Sequence, residues 1–319
     1  MRKILIFALK AALLCGLLYF AIDWKNLGPV GARLGSVKAI WLVIMLAILM
    51  AQIAVAAFRW REILKAGGQS LSPRLSVQFS FIAAFFSQVL PSSIGGDAAR
   101  IWLLGRNGIR WGAAVYSIIV DRAVGVMTLA AIVTVCLPWS VQLIADGTAR
   151  AALALLGLGG VAGGLIFILL GWYQPRQLTA WRLTRHLVEA AEVAAKLVRR
   201  VSSGAPVLVA AVAVHLMTVL ACWCAAKAVD APVDLLKTLI VVLPVILVSV
   251  VPISIGGWGV RESAMAIAFS YAGLSQADGL LVSLLYGFSL LIVGIIGGLV
   301  WVATTPRKEM LREMAKARR

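Results

Sequence analysis

Six stretches of this chain, residues 4–22, 39–58, 113–137, 151–173, 206–226 and 279–304, stay apolar for about the ~20 residues that cross ~30 Å of hydrocarbon as a helix. A bilayer offers no water to backbone N–H and C=O groups, so a spanning segment satisfies them within itself or in a closed barrel. Runs of this length specify helices rather than strands. The chain therefore reads as an all-α polytopic membrane protein with about six full spans. A soluble domain has no need of a composition that is 62% hydrophobic and only 13% charged. The formal net charge of +17 would suit a nucleic-acid partner in a soluble chain. Here the positive-inside bias and attraction to anionic lipid account for it, and no nucleic acid is expected. The start, Met-Arg-Lys and then apolar residues, resembles a signal peptide, but no small-residue cleavage site follows, so an uncleaved first span is expected.

Two further apolar runs, 75–90 and 235–251, are short for a crossing; the first, about 16 residues, reaches only ~24 Å as a helix. Each stops at a version of the same stretch. Val89-Leu-Pro-Ser-Ser-Ile-Gly-Gly-Asp-Ala-Ala-Arg100 returns as Val250-Val-Pro-Ile-Ser-Ile-Gly-Gly-Trp-Gly-Val-Arg261, gapless, at a constant offset of 161 residues. Pro91, Ser93, Ile94, Gly95, Gly96 and Arg100 match Pro252, Ser254, Ile255, Gly256, Gly257 and Arg261. This is an internal duplication. Each run and the apolar piece after its motif form a re-entrant helical hairpin, so the chain holds eight or more helices. The repeats are residues 39–137 and 206–304, each span–hairpin–span, inside a single integral-membrane domain. Residues 175–201 are a basic amphipathic linker, expected to lie on anionic lipid at the cytoplasmic surface.

With the N-terminus cytoplasmic, twenty of the thirty Lys and Arg fall on the cytoplasmic side, six outside and four in the membrane. That bias obeys the positive-inside rule and puts both termini in the cytoplasm. Three spans separate the motifs, an odd number, so the two hairpins enter from opposite faces and the repeats are inverted. Such folds hold their substrate near mid-membrane, between the repeats.

Charges in hydrocarbon are costly and mark function by default. Asp97 and Arg100 are three apart and share a helix face. Asp121 and Arg122 point about 100° apart, so they reach other elements rather than each other. Arg261 and Glu262 open the second outgoing half-helix. These groups either bind a substrate or form an ion-pair network that pins the hairpins. Pro91 and Pro252 stop the incoming helices. Gly95, Gly96, Gly256 and Gly257 either admit close approach or make a tight turn. Free N–H groups at a half-helix start, with an arginine one turn in, suit an anion such as phosphate. The tryptophans near span ends (Trp24, Trp41, Trp60, Trp111, Trp139, Trp172) read as interface anchors. All four cysteines lie in apolar runs and His186 and His215 stand alone, so no metal or cofactor is expected.

At the first motif, at Asp121-Arg122 and at Pro252-x-Ser-x-Gly-Gly-x-Gly-x-Arg-Glu262, the chain resembles the transmembrane region of lysylphosphatidylglycerol synthase, the flippase part of the multiple peptide resistance factor. The resemblance covers nearly the whole chain. It implies a lipid-translocating fold of two inverted halves with re-entrant hairpins, and a site at Pro91, Gly95, Gly96, Asp97, Arg100, Arg122, Pro252, Gly256, Gly257, Gly259 and Glu262. Ser87-Gln88 stands where the family often has Asn, and Asp121-Arg122 where it often has Glu-Arg. The synthase's soluble aminoacyl-transferase domain has no counterpart here, so the expectation is a transporter and not an enzyme.

Together these readings predict a flippase-like protein of a bacterial inner membrane that moves an anionic, phosphate-bearing lipid or lipid-linked head group. Membrane phospholipid is the expected partner, and a homo-oligomer is compatible with the sequence. Two other readings remain: an ion-coupled transporter of a small solute, and a membrane accessory or enzyme of lipid, hopanoid or glycolipid synthesis.

Overall fold

The computed structural model describes residues 37–90, 94–144, 146–174, 182–250 and 259–304, which form ten helices and no strand. In order they are α1 (Ala39–Ala66), α2 (Pro73–Val89), α3 (Gly95–Arg106), α4 (Trp111–Leu143), α5 (Gly147–Tyr173), α6 (Arg182–Arg199), α7 (Val201–Ala228), α8 (Leu235–Ser249), α9 (Val260–Tyr271) and α10 (Gln276–Thr304). Five of them, α1, α4, α5, α7 and α10, are long and apolar enough to cross a membrane. The span expected at 4–22 and the anchor expected at Trp24 lie outside the described residues.

Local sequence sets the helix starts. Ser72 accepts from Leu75 N at 3.2 Å and Pro73 takes the first helical position of α2. Asp146 and Asp234 cap α5 and α8 in the same way. Helix ends depart from the sequence reading where polar residues lie inside a span. The span expected to close at Arg59 continues to Ala66, because the Arg59 guanidinium is buried against a carboxylate instead of meeting water. The span expected to end at residue 137 runs through Pro138 to Leu143. Without competing water, a membrane helix gains more by continuing past a proline than by exposing its backbone.

The helix series repeats. The lengths run 28, 17, 12 and 33 residues in α1–α4. They run 28, 15, 12 and 29 in α7–α10. The halves interlock rather than stand side by side. The largest interface joins α1 to α7, and α2 packs on α10, where Gly297 lets the Phe81 carbonyl come against the helix backbone. α2 and α3 open at the Trp111 end of α4, while the legs of α8 and α9 meet Leu143 at its other end.

The basic linker is corrected most. α6 does not lie on a lipid surface by its apolar face. Val188, Ala190, Ala191, Ala194, Ala195 and Leu197 are buried against protein, mainly α5 and α4, while Leu187 and Val198 are exposed. Small residues make this packing close: a Cβ on Gly171 would strike the Ala191 carbonyl, and one on Gly204 the Leu197 carbonyl. Along α5, Gly160 and Gly164 lie against Ala130 and Met127, whereas Gly159 and Gly163 face open space.

Candidate functional site

The first motif builds one corner of a buried charge cluster. α3 starts at Gly95 and lies tight against α2. A Cβ on Gly95 would stand 2.6 Å from the Phe86 carbonyl oxygen, and one on Gly96 would stand 2.6 Å from that of Ala83 and strike Ser87 Oγ. Both glycines are helical, so close approach is what they supply. The contact aims Asp97 and Arg100 across at α4, where two crossed pairs form. Arg122 Nε donates to Asp97 Oδ2 at 2.8 Å, and Arg100 Nη1 donates to Asp121 Oδ2 at 3.3 Å. The other oxygen of Asp121 accepts from Arg59 Nε of α1 at 2.8 Å. Asp121 and Arg122 thus reach other elements and not each other.

Around Arg100 the charged neighbours are Asp121, Asp97, Arg122 and Arg59. Among the described residues, three arginines against two aspartates leave one positive charge in excess. On α4 the cluster lies about ten residues, or ~15 Å, from Trp111. The Arg100 guanidinium also stacks 5.0 Å over the Trp60 ring, and Trp60 Nε1 donates to Ser117 Oγ at 3.2 Å. Trp60 is fully buried, so it is a platform for the cluster and not an interface anchor.

A cleft of about 120 Å³ opens beside these pairs, lined by Ser80, Ser87, Gly96, Asp97, Arg100 and Arg122 together with small apolar side chains of α1 and α2. Two polar atoms of its lining residues, Ser80 Oγ and Arg100 Nε, are buried and have no hydrogen-bond partner among the described residues. Ser80 is only 3% exposed. An unmade hydrogen bond in such a place costs free energy and calls for a partner. Arg122 holds Asp97, lines the cleft and leaves 54% of its side chain accessible. This cleft can accept an anion: it has a surplus cation, unsatisfied donors and walls of small residues.

The second motif is arranged differently. Gly259 adopts φ +86°, a conformation that favours glycine, and its N–H donates to Glu262 Oε2 at 2.6 Å. Glu262 thereby caps α9 from within. Its other oxygen accepts from Arg261 Nη2 at 2.7 Å and from Ser283 Oγ at 3.1 Å. Arg261 Nε lies 3.1 Å from Ser283 Oγ, and the Tyr286 ring lies 5.4 Å from the guanidinium. Glu262 and Ser283 are 0% exposed and Arg261 4%. These groups satisfy one another, so their arrangement is that of a staple. Beside Tyr286, Thr218 of α7 accepts from Gln52 Nε2 of α1 at 2.7 Å. Pro91, Ser93, Pro252, Ser254, Gly256 and Gly257 lie outside the described residues.

Sequence reasoning missed Arg59, Ser80, Gln52, His215 and Ser283. Arg59 carried a signal, a charge one residue after an apolar run, but that signal reads equally as a span end. His215, buried at 8% exposure, pairs through Nε2 with the Gly125 carbonyl at 3.0 Å; nothing in the sequence distinguishes it from a packing residue.

The family model for the lysylphosphatidylglycerol synthase TM region matches residues 7–298 of the chain. No curated protein matches it.

Proposed function

We propose that this chain, which belongs to the lysylphosphatidylglycerol synthase transmembrane-region family, is a lipid transporter that passes the phosphate of an anionic lipid through the cleft beside Arg100 and Arg122. The membership and the apolar helices make it a multi-pass membrane protein with a lipid-related role. The bacterial inner membrane with cytoplasmic termini is the setting that its Lys and Arg distribution supports. One observation carries the reading: a charge cluster about ten residues along α4 from Trp111 has, among the described residues, one surplus arginine charge, and it lies beside a cleft lined by Ser80 and Arg100, each of which holds a buried donor without a partner there. A desolvated phosphate supplies the missing charge and acceptor lone pairs together, and arginine binds it in a bidentate fork. The cleft is too small for acyl chains, which stay in the bilayer while the head group crosses.

In this reading Arg122 and Arg100 hold the anion. Asp97 and Asp121 set the guanidiniums and return to them as the anion leaves. Arg59 keeps Asp121 ionised and in place. The chemistry is binding and release, and the protein is a transporter rather than an enzyme. The test is transport of a fluorescent phosphatidylglycerol in proteoliposomes, read by dithionite quenching of the outer leaflet. Wild type should equilibrate the label and Arg122→Ala should not, with both folded equally. Equal rates in the two, or wild-type transport of phosphatidylcholine at the phosphatidylglycerol rate, would overturn the anion assignment.

A further inference from the structure

The base of each hairpin, away from its motif, carries a second cavity. At the first hairpin a pocket of about 570 Å³ lies between α2, α3 and the end of α10. At the second, a pocket of about 280 Å³ lies between α8, α9 and the end of α4. The motif offset of 161 residues maps one onto the other. Phe79, Leu103, Arg106 and Asn107 of the first correspond to Ile240, Ala264, Ile267 and Ala268 of the second. Thr304, contributed to the first pocket by α10, corresponds to Leu143, contributed to the second by α4. The two pockets are copies of one feature and open at opposite ends of α4.

Their chemistry has diverged. The first has Arg74 and Arg106 at its mouth with Gln78 and Asn107, and no carboxylate among its described lining residues. Arg106 stacks 5.0 Å from the Trp102 ring. Deeper in, Leu75, Phe79, Ile82 and Leu103 make an apolar wall. In the second copy the equivalents of Arg74, Gln78, Arg106 and Asn107 are Leu235, Leu239, Ile267 and Ala268. A cationic rim over an apolar wall, at the end of a membrane-embedded hairpin, fits an anionic amphiphile: its phosphate between two guanidiniums, its first methylenes on the leucines and phenylalanine. The second copy has no charged side chain among its described lining residues, only the hydroxyls of Ser140 and Tyr271, and so offers no counter-charge to an anionic head group.

We infer that the pocket at the base of the first hairpin is a docking site for the phosphate head group of an anionic phospholipid. That lipid comes from the leaflet on the Arg74 and Arg106 side, and the duplicate pocket on the far side admits acyl chain only. On the transport reading above, this asymmetry loads anionic lipid from one leaflet and does not retain it at the other. Docking itself does not depend on that reading.

The experiment places full-length protein in phosphatidylcholine nanodiscs containing a photoactivatable phosphatidylglycerol. Cross-linked peptides are mapped by mass spectrometry, and transport is measured in parallel. Wild type should cross-link within residues 74–107 with phosphatidylglycerol and far less with a matched phosphatidylcholine probe. An arginine near an anionic lipid contributes about 1 kcal/mol, about fivefold in affinity, so Arg74→Gln/Arg106→Gln should weaken that cross-link roughly twenty-five-fold. Arg74→Lys/Arg106→Lys, which keeps charge, should retain most of it. The Gln pair should also need more phosphatidylglycerol for half-maximal transport at an unchanged maximal rate. Cross-linking that ignores head-group charge, or that survives the Gln pair in folded protein, overturns the docking site even where transport is intact. Charge-dependent cross-linking in a protein that moves no lipid upholds the docking site and overturns the transport reading alone.

Discussion

Asp121→Asn separates a charge cluster held by burial from one held only by proximity. The carboxylate accepts from Arg59 and Arg100 at once, through different oxygens, at 2.8 and 3.3 Å. The amide keeps the shape and removes the charge, raising the cluster's surplus from one positive charge to two. Arg59 is 8% exposed and the Arg100 side chain 15%, so neither can recover its loss by hydration. Breaking one side of such a pair costs about 3–5 kcal/mol. Asp97→Asn is the control. It removes an equal charge from Arg122, whose side chain is 54% exposed and can turn to water within the cleft, where a pair is worth about 0–1 kcal/mol. At roughly 2–4 °C per kcal/mol for a large domain, Asp121→Asn should lower the Tm by about 6–20 °C in detergent and Asp97→Asn by less than about 4 °C. Adding Arg59→Gln to Asp121→Asn restores the single surplus charge and should recover part of the loss, as a positive coupling in the double-mutant cycle. Equal losses in Asp97→Asn and Asp121→Asn, or strict additivity with Arg59→Gln, would refute the account of the cluster as one desolvated network.

Other outcomes follow from single contacts. Gly96→Ala drives a Cβ into Ser87 Oγ and the Ala83 carbonyl, so monodisperse yield on size exclusion should collapse, while Gly159→Ala, which meets open space, should be silent. Glu262→Gln weakens acceptance from Arg261, Ser283 and Gly259 in a fully buried site. It should therefore cost folded yield and thermal stability before any selective loss of transport. Arg100→Lys keeps the charge but not the fork; proteoliposomes should show reduced, non-zero transport at near wild-type stability. Cysteines at Gly147 and Asp230 should react with an impermeant thiol reagent added outside intact cells, and those at Gly68 and Ser202 should not. Labelling at 202 would reverse the orientation.

The fold was legible because one length rule dominates in a bilayer, and it located the five described spans and the pair of short helices flanking each motif. The rule fails where a charge inside a span is neutralised from afar. Arg59 looks like a terminus until Asp121, 62 residues later, is known to meet it, and Trp60 looks like an anchor for the same reason. In α6, periodicity identifies an apolar face but cannot say whether lipid or protein covers it. Gly171 and Gly204 were the available signal, because small residues mark where another backbone must approach. In the candidate site, the cost of charge in hydrocarbon picks out Asp97, Arg100, Asp121 and Arg122 directly. Their crossed pairing is a matter of how α3 lies on α4, which no spacing encodes. Ser80 is a serine among many until its hydroxyl is found buried and unpartnered.

The duplication explains why two copies of one motif hold such different electrostatics. At the motif offset, Arg100 corresponds to Arg261, but Ile101 corresponds to Glu262, Asp121 to Val282 and Arg122 to Ser283. In the second half the carboxylate has moved next to its arginine on the same helix, and a serine stands where the first half has a cation. Arg261 is therefore neutralised locally, and Glu262 also caps α9 at Gly259. In the first half each counter-charge comes from another helix, so the pairs Arg100–Asp121 and Arg122–Asp97 hold only while α3 and α4 keep their relative position. A pair within one helix survives any movement of that helix; a pair between helices is made and broken by it. Among the described residues it is the first half that couples a change in helix packing to the exposure of arginine charge, and the same half carries the surplus cation and the unpartnered donors of Ser80 and Arg100. A transporter that must bind an anion in one arrangement and release it in another needs that coupling at one of its two motifs, and gains rigidity if the other is stapled.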